Sequence, residues 1–197
     1  LNGVSTNSQL RVIERKEGEP MRLLFVGRQT NWKGVDAILL ALSKTKNVKL
    51  TIAGSGPMLP ANIDLSCRLG LGRKVEFLGH VDPRDVEELM ANHHVLILLS
   101  LYEGLSNTLL EAGAAGMACI SSDKGGNPEV IIHNETGYLV DPFCIKGITR
   151  AIKSLCDNDS ERVRLAENHR DRVMTAFTMK QSLAKTAQVL ENAINLQ

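Results

Sequence analysis

Apolar residues in this chain gather in short unbroken runs, separated by longer stretches with helical spacing. "RLLFVG" (22–27), "VKLTIAG" (48–54), "KVEFLG" (74–79), "HVLILLS" (94–100) and "ACISS" (118–122) are apolar nearly throughout. A strand with one wet face alternates, whereas one covered on both faces does not, so these runs read as fully buried strands of a parallel sheet. Between them, "VDAILLALSK" (35–44), "DPRDVEELMAN" (82–92) and "NTLLEAGAAG" (107–116) place apolar residues three and four apart, as helices do. "LPANIDLSCRLGLG" (59–72) is a weaker helix that Gly70 and Gly72 end. Asp82-Pro83 is a helix start, an acidic cap followed by proline in the first turn. After "TGYLV" (136–140), a short last strand, the pattern turns helical over 143–156, 159–177 and 179–195.

Strand alternating with helix predicts an α/β fold with a doubly wound, Rossmann-like parallel sheet. Right-handed crossovers then bring every strand-to-helix loop to one rim, the edge where such sheets take ligands. The segments predicted to meet there are Gly27–Gly34, Gly54–Pro57, Gly79–Asp82, Ser100–Thr108 and Ser121–Glu129.

The loops carry distinct chemistry. "VGRQTNWKG" leaves the first strand with Arg28 at its tip and Lys33 just before a helix. Two cations beside a helix N-terminus would clamp a diphosphate; the alternative is a solvated loop with ordinary surface charges. "AGSGP" puts Gly54 where a backbone must turn tightly or admit a ligand, although it is not a dinucleotide fingerprint. His80 reads as a loop histidine, and Val81 beside it could lie against a flat base. In "YEGLSNTLLEAGAAG" (102–116) Asn107 is expected to cap a helix, with Glu111 one turn in and Glu103 in the preceding loop. Both carboxylates would face the rim across the N–H groups of Ser106 to Thr108. A carboxylate accepts two hydrogen bonds side by side and so suits vicinal hydroxyls. A capping acid plus an exposed one is the alternative.

Composition narrows the partners. The net charge is +1 and aromatics make up 4%, with no basic stripe, so nucleic acid is a poor partner. Cys67, Cys119, Cys144 and Cys156 lie far apart and are expected to be reduced and buried. No run approaches the ~18 apolar residues of a membrane span. The start, Leu-Asn-Gly-Val, has neither signal-peptide character nor an initiator Met, which suggests a fragment. Two decoys fall away. Asp157-Asn158-Asp159 separates two predicted helices and reads as a cap, and "NHHV" (92–95) lacks metal-ligand spacing.

"EGLSNTLLE" resembles the Glu-x7-Glu motif of retaining GT-B glycosyltransferases, especially glycosyltransferase family 4. The likeness extends in order through "FVGRQTNWKG", "LTIAGSGP", "VEFLGHV", "LLSLYEGLSNTLLEAGAAGMACISSDKGGNPEVI" and "NETGYLV". The resemblance implies the C-terminal, donor-binding half of a GT-B two-domain fold. Residues 1–20 would be the end of the interdomain linker and a leading arm, and 21–178 the nucleotide-sugar-binding domain. Residues 179–197 would be a helix packing on an absent N-terminal, acceptor-binding domain. It further implies that Arg28 and Lys33 hold the donor diphosphate, that Glu111 binds the ribose and that Glu103 contacts the transferred sugar. Gly104, Leu105, Ser106, Asn107 and Thr108 would meet phosphate and sugar. Gly54, His80 and Val81 would complete the donor site, Val81 through its backbone, with Gly125 and Gly126 forming a nearby turn. Glu103, Arg28 and Lys33 would carry catalysis.

The expected chemistry is sugar transfer, with retention, from a nucleotide-diphospho-sugar, a UDP-sugar being the donor expected, to an acceptor hydroxyl, without a metal ion or other cofactor. The fragment alone would be inactive. A cytoplasmic site is expected, with peripheral membrane contact at the inner face left to the absent half. Two other readings stay open: a sugar-nucleotide epimerase of GT-B fold, and a non-enzymatic α/β ligand-binding module.

Overall fold

The structure, a computed structural model, describes residues 12–178. The predicted helix at 179–195 and the first part of the leading arm lie outside the described residues. Six strands form one sheet: β1 (Met21–Val26), β2 (Val48–Ala53), β3 (Val75–Gly79), β4 (Val95–Leu98), β5 (Ala118–Ser122) and β6 (Tyr138–Val140). Their connections hold α1 (Val35–Leu42), α2 (Leu59–Arg68), α3 (Pro83–Ala91), α4 (Asn107–Ala114) and the short α5 (Asn127–Val130). Then α6 (Ile145–Asp157) and α7 (Asp159–Ala176) close the described chain.

The strand order is β3-β2-β1-β4-β5-β6, with every pairing parallel. The chain starts in the middle at β1, runs outward to β3, and returns beside β1 with β4. That reversal opens a crevice above the carboxyl ends of β1 and β4, the switch point at which doubly wound sheets take ligands. Helices cover the two faces, α1 packing on α6 and α2, and α4 on α7.

Burial follows position in this order. In β4 and β5 every residue is buried, and β1 carries Leu23, Leu24 and Phe25 at zero exposure. The expectation of full burial fails for β3, which alternates between half-buried and exposed residues. As an edge strand it has a neighbour on one side only, and its helix α3 buries just Met90 completely. β6, the opposite edge, is half-buried along its length.

The caps follow local chemistry. Asp82 accepts from the Arg84 N–H at 2.9 Å and starts α3. Asn158, not a metal-binding acid, starts α7 by accepting from the Glu161 N–H at 3.0 Å. The cysteines divide: Cys119 and Cys156 are buried, whereas Cys67 and Cys144 are exposed, contrary to expectation, because each sits on the wet side of its helix end. The histidine pair is architectural. His93 bonds Thr51 at 2.8 Å and the Leu89 carbonyl at 2.6 Å, and His94 accepts from the Arg22 N–H at 2.9 Å. No described helix is long and apolar enough to cross a membrane.

Candidate functional site

Five loops meet above the sheet, joined by backbone hydrogen bonds. The Gly54 N–H donates to the Gly79 carbonyl at 2.7 Å, and the Gln29 N–H to the Ser55 carbonyl at 2.8 Å. The Leu101 N–H reaches the Trp32 carbonyl at 2.8 Å, and the Gly126 N–H reaches the Glu103 carbonyl at 3.0 Å. These contacts tie the β1, β2, β3, β4 and β5 exits into one rim.

Two of the joins depend on the lack of a side chain. Gly54 adopts φ +129°, and a Cβ there would lie 2.0 Å from the Gly27 carbonyl oxygen. At Gly126 a Cβ would lie 2.3 Å from the Gly104 carbonyl oxygen, so the Gly125–Gly126 turn presses directly on the Glu103–Gly104 backbone. Either approach is open to glycine alone.

Beneath the loops lies a layer of buried amides that sequence patterning does not reveal. Gln29, with no exposed surface, donates from Nε2 to the Gly54 carbonyl at 2.7 Å and accepts from Asn62 Nδ2 at 2.9 Å. Asn127, equally buried, donates to Ser122 Oγ at 2.8 Å, and Ser122 in turn donates to the Ser100 carbonyl. Burying an unbonded amide is costly, so such pairs fix the loops they join. Three buried polar atoms under the rim have no hydrogen-bond partner among the described residues: Thr30 Oγ1, Ser100 Oγ and Asn127 Oδ1. Gln29 adjoins Arg28 in sequence, but nothing local marks it as buried.

The predicted residues fall into three groups. Arg28, Gly54, His80 and Val81 line one cleft of about 490 Å³, together with Ser55 and Gly56. Arg28 is exposed and has no ion pair among the described residues. Lys33 and Glu103 form an ion pair across the switch point, with each side chain 18% exposed. Lys33 ends a single 3-10 turn over Asn31–Lys33, and Glu103 stands in the loop between β4 and α4. The third group is the start of α4. Its cap is Ser106, whose Oγ accepts from the Leu109 N–H at 3.5 Å, and not Asn107 as expected. The serine wins because the extended backbone that a cap requires falls there, at φ −74° and ψ 109°. Asn107 and Thr108 become the first helical residues, whose N–H groups have no intrahelical acceptor.

Glu111 lies farther along α4. Its side chain reaches solvent, yet enough protein surrounds it that burial raises its carboxyl above the usual range. No hydrogen bond or ion pair joins its carboxylate to Arg28, Lys33 or Glu103 among the described residues. A hollow of about 420 Å³ at the outer edge of β6 holds none of these residues. Among the described residues there is no cluster of three or more histidine, cysteine or acidic side chains able to hold a metal ion.

Along one rim the arrangement offers Arg28 in a cleft, the Lys33–Glu103 pair beside it and the first N–H groups of α4, chemistry suited to an anion linked to a polyol. The profile of the glycosyl transferases group 1 family matches residues 7–172. Glycogen synthase of Mycobacterium tuberculosis is 31% identical over 192 residues, which are 95% of this chain and 46% of that protein. The chain thus spans about half the length of the relatives it matches. The C-terminal domain of a group 1 glycosyl transferase family protein, LpcC of Francisella tularensis, superposes with a TM-score of 0.77 at 25% identity. It covers 90% of this chain and all of that one. Anabaena HepE, solved in complex with UDP and glucose, gives a TM-score of 0.82 at 21% identity, over 88% of this chain and 48% of its own.

Proposed function

The chain belongs to the glycosyl transferases group 1 family, and from that premise we propose that it is the donor-binding half of a retaining GT-B glycosyltransferase. It takes a nucleotide-diphospho-sugar, a UDP-sugar in the simplest case, and the transfer to an acceptor hydroxyl needs a second, acceptor-binding half. The observation that carries this reading is the Lys33–Glu103 pair at the switch point between β1 and β4. It sets a phosphate-seeking group and a hydroxyl-seeking group within reach of each other.

In this reading Arg28, Lys33 and the N-terminus of α4 hold the diphosphate and stabilise its charge as the sugar leaves. Such electrostatic stabilisation is the large contribution in many enzymes. In the proposed chemistry these cations do the charge-stabilising work for which other enzymes use a metal ion, and no metal is needed. Val81 meets the base through its backbone with His80 beside it, Glu111 takes the ribose hydroxyls, and Glu103 orients the transferred sugar. The segment Gly104 to Thr108 lies along phosphate and sugar. The neighbour crystallised with UDP and glucose supports the choice of ligand class.

Titration of the labelled chain with UDP, GDP and ADP tests the reading through amide shifts. Perturbation centred on Arg28, Lys33 and Glu111 is expected with at least one nucleotide. Silence at all three positions with every nucleotide overturns it. Glu111→Ala is expected to weaken nucleotide binding, whereas Glu103→Ala in the longer enzyme mainly lowers turnover.

A further inference from the structure

The pairing of Lys33 with Glu103 does more than place two groups side by side. Each side chain is only 18% exposed, so removing one partner's counter-charge leaves the other poorly compensated by solvent. Both loops are tied to their neighbours through the backbone. The Lys33 turn is held by the Leu101 N–H donating to the Trp32 carbonyl at 2.8 Å. The Glu103 backbone is held by the Gly126 N–H at 3.0 Å and by the glycine turn pressed against it. With the loops so tied, side-chain rotation is the shortest way to open the pair, and each group then needs a replacement partner.

We propose that Glu103 competes with the diphosphate for Lys33, so that the site retains an intact donor in preference to the nucleoside diphosphate left after transfer. The inference rests on the donor reading above. An intact donor replaces both partners: phosphate oxygens accept from the ammonium of Lys33, and sugar hydroxyls donate to the carboxylate of Glu103. The spent carrier replaces only one. It takes Lys33 and leaves Glu103 charged, unpaired and beside a phosphate of the same sign. Once the sugar has gone, Glu103 recaptures Lys33 and loosens the product. Arg28 has no ion pair among the described residues and so surrenders no protein partner to either ligand.

Calorimetric titration of this chain with UDP, GDP and ADP, and with their glucose-linked forms, tests the proposal in wild type and Glu103→Gln. Glutamine keeps the shape, removes the charge and releases Lys33. The variant is expected to bind the free diphosphate about two- to fivefold tighter, the range of a partly screened ion pair. It should bind the glucose-linked form more weakly, so that the preference for intact donor shrinks or inverts. In a Lys33→Met background the gain should shrink, because no ammonium is left to release. Unchanged or weaker diphosphate binding by Glu103→Gln, while Arg28→Met still lowers it, overturns this inference and leaves the donor site standing. If neither protein binds any nucleotide, the donor reading itself fails and this inference falls with it.

Discussion

At the floor of the sheet, around the starts of β1 and β4, Arg22 pairs with Glu19 and donates to the Asn92 carbonyl at 2.7 Å. Arg15 reaches Asp159 at 3.7 Å and the Cys156 carbonyl at 2.7 Å, and the fully buried Arg162 holds Asp159 at 2.8 Å and the Ile13 carbonyl at 2.9 Å. At the rim the same kinds of side chain are left incomplete. Among the described residues Arg28 has no carboxylate partner, and Lys33 has one that it would have to surrender to bind an anion. The difference separates two uses of charge. Charges paired with protein groups strap the leading arm to the junction of α6 and α7, and in the proposed reading the charges left open at the rim are those that an anion would take.

The largest effect expected comes from protons. His94, at the floor, is held to a pKa of about 4 by burial first and then by the Arg22 and Arg162 cations. His169, buried between α7 and α4, is held to about 4 by burial, against the Met117 carbonyl that favours its charged form. Both values are depressed, so the stability is fully present above the unfolded value of 6.5 and is lost as pH falls from there towards 4. The loss should be on the order of 2–3 kcal/mol per histidine. Urea unfolding at pH 7 and pH 4.5 measures it, and His94→Gln should flatten the dependence by about half. An unchanged slope in that variant would remove the floor's share of the contrast.

Next in size is a paired exchange. Asp159→Ala strips the counter-charge from buried Arg162 and should cost about 3 kcal/mol of stability, with nucleotide affinity intact. Arg28→Met should do the reverse, moving stability by less than about 0.5 kcal/mol. Its diphosphate affinity should fall roughly tenfold, the worth of a charged hydrogen bond. Chemical denaturation and calorimetry on both variants decide the matter, and exchanged phenotypes would erase the distinction between floor and rim.

The smallest effect sharpens the contrast at Glu111. Its carboxyl is raised by burial, so its ionisation works against folding as pH rises through the raised pKa. Glu111→Gln should therefore be slightly more stable than wild type at pH 7 and equal to it in acid. The gain should not exceed about 0.5 kcal/mol, because the side chain still reaches water. Nucleotide binding should weaken in the same protein. A variant less stable at pH 7 would mean that Glu111 is held by contacts of the floor kind.

Much of the fold is written locally. Unbroken runs such as "VLIL" and "ACISS" can be stable only when covered on both faces, and Asp82-Pro83 starts α3 by its own chemistry. The motif order also places Arg28, Lys33 and Glu103 between a strand end and the next helix, and Glu111 within α4. Less legible were the exposure of β3, the cap at Ser106, the four-residue α5 and the buried amides Gln29, Asn62 and Asn127. Each depends on a neighbour remote in sequence. Leu78 in β3 looks like core until the strand order leaves it exposed at an edge.

The residues alone determined the alternation of strand and helix, and with it the single rim on which the loops converge, because side-chain period and crossover handedness are local properties. Only the tertiary structure decided which charges on that rim are already engaged. Lys33 and Glu103 stand 70 positions apart, and Gln29 and Asn62 stand 33 apart. Their contact follows from the return of the chain beside β1, since only that return brings such distant loops within the few ångströms over which a hydrogen bond or a desolvated charge acts.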